Sequence, residues 1–93
     1  PSVATTQSAA CWVLLAQGDR LAYTTNTASG TVSVFDLAAG GALSLRHAVA
    51  ANTGAGSSPI DMAGVGRFVY VLAPGAGGTV RPYAIADDGT LQG

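Results

Sequence analysis

Residues Arg20–Leu43 read RLAYTTNTASGTVSVFDLAAGGAL, and the stretch returns in altered form at Arg67–Leu91 as RFVYVLAPGAGGTVRPYAIADDGTL. Tyr23 matches Tyr70 at a spacing of 47, and Thr31-Val32 matches Thr79-Val80 at 48. Phe35 answers Tyr83, Leu37 answers Ile85, Gly41 answers Gly89 and Leu43 answers Leu91, all at 48. The one-residue slip falls in a loop, Asn26–Gly30 in the first copy and Ala73–Gly78 in the second. Loops absorb insertions that paired strands do not. The two stretches therefore read as copies of one structural unit.

The unit is made of strands. Leu21–Asn26 is rich in Tyr and Thr, and Thr31–Leu37 alternates, with Val32 and Val34 on one side and Phe35 and Leu37 on the other. Outward from these, Cys11–Ala16 is a short apolar run that fits a strand buried on both faces. Leu43–Ala50 carries Arg46 and His47 on a fourth strand. Gln17-Gly18-Asp19 and Ala38–Ala42 are turns. After the Gly/Ser loop Asn52–Ser58 the cycle restarts with Ile60–Ala63, Phe68–Leu72 and Val80–Ile85. Asp87-Asp88-Gly89-Thr90 is a hairpin turn leading into Leu91. Pro82 has no N–H for a ladder and predicts a local break in its strand.

A strand-only period in the high forties points to β-propeller blades. The fold class expected is all-β, a propeller segment of two four-stranded antiparallel blades. With the strands of a blade lettered a to d, the chain runs d-abcd-abc. Residues 1–9 form a spare outer strand, 10–50 the first blade, and 58–93 a second blade lacking its own outer strand.

Composition narrows the partners. The chain of 93 residues is 48% apolar and 10% charged, with four Arg, five Asp, no Lys, no Glu and a net charge of −1. Without a basic surface, nucleic acid and anionic membranes are not expected as partners. No run of about twenty apolar residues is present to span a bilayer. The expectation is a soluble protein, cytoplasmic or exported. Cys11 stands alone and decides no compartment. No cofactor or metal is expected: Asp87-Asp88-Gly89 lacks the spacing and distal Glu of a calcium loop.

Cys11-Trp12-Val13, Tyr23-Thr24-Thr25-Asn26, Gly30-Thr31-Val32-Ser33, Pro59-Ile60-Asp61-Met62, Arg67–Leu72 and Asp88-Gly89-Thr90-Leu91 resemble the blades of the lactonase-type seven-bladed β-propellers. That bacterial family includes 6-phosphogluconolactonase-like proteins. The resemblance covers nearly the whole chain but only about two blades of the fold it implies. It implies lactone hydrolysis by His, Arg and Glu drawn from several blades. This chain has no Glu, and neither His47 nor any Arg maps onto that set. No catalytic residue is expected.

Three residues are candidates for binding a small molecule in a central channel. Asp61 follows Pro59 on an innermost strand; the plainer reading is a carboxylate capping backbone N–H groups of the neighbouring blade. Cys11 reads first as a small buried thiol. Trp12 reads first as packing between blades, or as a stacking platform for a sugar. The function expected is a structural or binding module that needs further blades or copies. Part of a lactonase-like hydrolase, and a designed or excised fragment without evolved activity, are the alternatives. Copies are expected to complete a ring, with Val3–Gln7 pairing onto Val80–Ile85 of a neighbour.

Overall fold

Among the described residues the regular structure is strand throughout, from Ala10 to Gln92. The computed structural model describes residues 3–75 and 78–93. β1 (Ala10–Ala16), β2 (Leu21–Asn26), β3 (Thr31–Leu37) and β4 (Leu43–Asn52) form one antiparallel sheet in that order. β5 (Asp61–Val65), β6 (Phe68–Ala73), β7 (Thr79–Ile85) and β8 (Leu91–Gln92) form a second. The fold is all-β, and each sheet holds one copy of the repeat.

The copies agree in detail. Leu14 pairs with Tyr23 where Ala63 pairs with Tyr70, and Tyr23 pairs with Val34 where Tyr70 pairs with Pro82. In the β3–β4 turn, Ala38 N–H bonds Ala42 O and Gly41 N–H bonds Ala38 O; in the β7–β8 turn, Ala86 N–H bonds Thr90 O and Gly89 N–H bonds Ala86 O. Gly41 and Gly89 sit at φ 89° and 86°, a left-handed region that glycine enters without a Cβ penalty.

Side chains alternate along a strand, so Leu21, Tyr23, Val32 and Val34 share one face of the first sheet. They form one core cluster with Met62, Val69, Val71, Tyr83, Ile85 and Leu91 of the second, and Leu14 and Ala16 pack against it. β1 lies beside β5 and β4 beside β8. Tyr23 Oη crosses the interface and donates to Gly89 O at 2.7 Å. The crossing loop is pinned at both ends. Thr53 and Gly54 N–H bond Gly30 O, Gly75 N–H bonds Ser57 O, and Ile60 N–H bonds Leu72 O. Gly30, at φ 70°, has no room for a Cβ, which would run into the Gly54 carbonyl.

Several expectations are corrected. β1 is not buried on both faces: it is the edge strand of its sheet and is largely exposed. Cys11 is exposed rather than buried. The β1–β2 register steps between Ala10 and Trp12, and such a bulge turns the extra residue out of the ladder. Trp12 is likewise exposed instead of packed between sheets. The second sheet does have a fourth strand, but β8 reaches only Ala84 and Ile85 of β7 and leaves Thr79–Tyr83 uncovered on that edge. Pro82 breaks nothing in the ladder to β6, whose register runs on through Tyr70 opposite Pro82; it lies on the uncovered part of β7. Residues 3–9 form no strand within the chain. Ala9 O accepts from Thr27 N–H, Ser8 N–H donates to Ser29 Oγ, and Thr31 Oγ1 donates to Gln7 Oε1. The two sheets do not close around a central channel. Pro1, Ser2, Ala76 and Gly77 lie outside the described residues, and with them the middle of the longer loop expected at 73–78.

Candidate functional site

In a meander, alternate turns fall at the same end of the sheet. The turn Gln17–Arg20, the β3–β4 turn, the β5–β6 turn and the β7–β8 turn therefore meet. A cleft of about 400 Å³ opens there, lined among others by Gln17, Arg20, Asp36, Arg46, Arg67 and Asp87. Arg20 and Arg67 are the same position of the repeat, each opening the quoted stretch. Arg46 comes in from β4.

The charges are largely matched within the cleft. Arg46 Nη2 lies 2.6 Å from Asp36 Oδ1, and Arg67 Nη2 lies 3.3 Å from Asp87 Oδ1 and donates to Ile85 O at 3.1 Å. The hydrogen bond to Asp36 raises the Arg46 pKa, partly offset by desolvation. Among the described residues, Arg20 donates from Nε to the carbonyl of Gln17 alone, at 3.1 Å. Three guanidinium groups and two carboxylates line the cleft, and the Asp88 carboxylate acts on Arg46 from beside it. Both carboxylates accept from arginine.

Beside it, His47 Nε2 donates to Asp88 O at 2.9 Å. Asp88 caps its own turn: Thr90 Oγ1 and Thr90 N–H donate to Oδ1 at 2.6 and 3.0 Å, and the hydroxyl bond first, then the backbone bond, lower the Asp88 pKa. The Tyr23 hydroxyl behind the cleft is pushed up to about 12 by burial, with Arg46 acting in the opposite direction. Among the described residues no cluster of His, Cys, Asp or Glu has the makings of a metal site.

The residues singled out from sequence lie elsewhere. Asp61 lines a smaller depression of about 200 Å³ with Met62, Ala63, Tyr70, Leu72 and Val80. Its Oδ1 accepts from the N–H of Met62 at 2.7 Å, within its own strand. Trp12, opposite Thr25, holds the register place that Asp61 holds opposite Leu72. Neither Trp12 nor Cys11 lines either depression. The sequence reading missed the meeting of Arg20, Arg46 and Arg67. The only signal for it was the shared Arg at the start of both copies. It also missed Asn26, which is fully buried, donates to Thr31 Oγ1 and Ser33 Oγ, and leaves Oδ1 without a partner among the described residues.

No helix of the described residues is long and apolar enough to cross a membrane. Comparison with protein-family models, with curated proteins and with solved structures finds no match to this chain.

Proposed function

We propose that the chain is a pair of β-propeller blades and serves as a structural or binding module completed by further blades, including other copies of itself. One observation carries this reading: Phe68, Tyr70, Leu72 and Val80 stand exposed together on the outer face of the second sheet. A contiguous apolar face of this kind marks an interaction surface on a soluble protein. The blade reading is supported by the stacking of two four-stranded meanders with first strand beside first strand. The uncovered edge of β7 adds a second unmet demand, since open edges recruit strands. If Val3–Gln7 of a neighbouring copy is that strand, Gln7 must give up its bond from Thr31.

Lactone hydrolysis is not part of the proposal, because Asp36 and Asp87 are ion-paired and His47 is held by a turn carbonyl. Light scattering on the purified chain tests the module reading. Association into a discrete complex, weakened by deleting residues 1–9, is expected. A persistent monomer would count against completion by copies, and measurable turnover of a sugar lactone would count against a non-catalytic role.

A further inference from the structure

We infer that a second copy of this chain docks head to tail on the outer face of the second sheet through the outer face of its own first sheet, with Tyr70 Oη donating to the carbonyl of Gly41 of the partner subunit. The inference rests on the module reading above and specifies its contact.

The interface within the chain is the template. It joins one face of the first sheet, centred on Tyr23, to the opposite face of the second. The repeat carries Leu21, Tyr23 and Val32 onto Phe68, Tyr70 and Val80. The first three are buried in the core cluster; the second three are exposed. The other half of the interface maps backwards in the same way. Met62 and Leu91, buried in the second sheet, correspond to Val13 and Leu43, which are exposed on the outer face of the first. Each half of the interface within the chain thus recurs on the opposite side of the molecule: exposed on the second sheet, and on the first sheet exposed at Val13 and Leu43 around a middle, Ala22, Thr24 and Phe35, that the chain itself already buries.

The polar and steric details transfer as well. Tyr23 Oη donates to Gly89 O. Gly41 has the conformation and turn bonding of Gly89, and among the described residues Tyr70 Oη makes no bond of its own. Leu14 lies over Gly64, where an added Cβ would stand 3.3 Å from its methyl. By register, Ala63 takes the place of Leu14 and Leu15 that of Gly64. Large over small becomes small under large, so the space is still filled. Face-to-face docking of two second sheets offers none of this: it sets Tyr70 against Tyr70, far from either Gly41. Contacts between unlike faces repeat from copy to copy.

A complementation experiment tests it. Phe68→Asp spoils one face and Leu15→Asp the other; both positions are about half exposed, at 51% and 48%, so each variant keeps the fold, checked by circular dichroism. By sedimentation, each variant alone is expected to be monomeric, and a 1:1 mixture to form a dimer through the two intact faces. Tyr70→Phe is expected to weaken association of the otherwise natural chain about fivefold, the loss of one hydrogen bond. Leu15→Asp that associates as well as the natural chain, or a mixture that stays monomeric while the natural chain associates, overturns the head-to-tail contact and leaves assembly from copies standing. A natural chain that remains monomeric up to about 1 mM overturns both.

Discussion

The two sheets have the same strand order, the same pairing of their second and third strands and the same hydrogen bonds in their last turns, yet they are buried differently. β2 is buried along its whole length, including Thr24, Thr25 and Asn26. Its counterpart β6 alternates, and its exposed positions are Phe68, Tyr70 and Leu72. The polar strand is inside and much of the apolar strand is outside. Burial in this molecule does not follow the polarity of a face: Ala22, Thr24 and Asn26, on the side of β2 turned away from the second sheet, are buried as Leu21 and Tyr23 are. Exposed apolar residues are ordinary when scattered and informative when contiguous. The second sheet carries Phe68, Tyr70, Leu72 and Val80 on a face that no described part of the chain covers.

Equivalent substitutions in the two copies probe this asymmetry. The largest contrast is expected at the tyrosines. Tyr23→Ala removes a buried ring and should cost about 3 to 5 kcal/mol in urea unfolding. Tyr70→Ala, measured with the chain dilute, should cost under about 1 kcal/mol. Equal losses would erase the distinction between the two faces. Next come the glycines that close the β2–β3 and β6–β7 loops. Gly30→Ala adds a backbone clash to a left-handed φ and should destabilise by about 3 kcal/mol. Gly78, at φ 62° but with the Pro74 carbonyl 3.7 Å from an added Cβ, should lose only about 1 kcal/mol as Ala.

Titration gives a third contrast. The pKa of Tyr23 is raised to about 12 by burial, so the folded state favours the neutral phenol. The stability tied to it is fully present below pH 10, the unfolded value, and is lost as pH rises through 12. Alkaline unfolding of Tyr23→Phe should lack that slope. The smallest effect is expected at the turn-end cleft. Arg67→Gln removes an exposed ion pair with Asp87 and should change stability by less than about 0.5 kcal/mol. A larger loss would mean that the bond from Arg67 to the Ile85 carbonyl, removed with it, carries weight within the second sheet.

Much of the fold was legible because its signals are local. Alternation in Thr31–Leu37, the Tyr and Thr of Leu21–Asn26 and the Gly-containing turns each act within a few residues. The spacing of 47 to 48 then repeats the pattern. The candidate sites were not legible in this way. Cys11 and Trp12 look like core residues by type, but a one-residue register step and an edge position expose them. Arg20, Arg46 and Arg67 are remote in sequence and meet only because alternate turns of stacked meanders share one end. Asp61 bonds the nearest N–H, that of Met62 in its own strand, a local contact that residue type alone does not single out.

From the sequence alone came the strands, their turns, the repeat and the two equivalent sheets, because backbone propensity, period-two alternation and glycine at left-handed positions depend on neighbours along the chain. Only the tertiary structure decided which of the equivalent faces is covered. Val32 and Val80 match in the repeat, yet Val32 is 0% exposed and Val80 62%. Side-chain identity sets how much a residue gains from burial. Whether a second surface arrives to bury it depends on stacking between sheets, a long-range contact that neither copy encodes by itself.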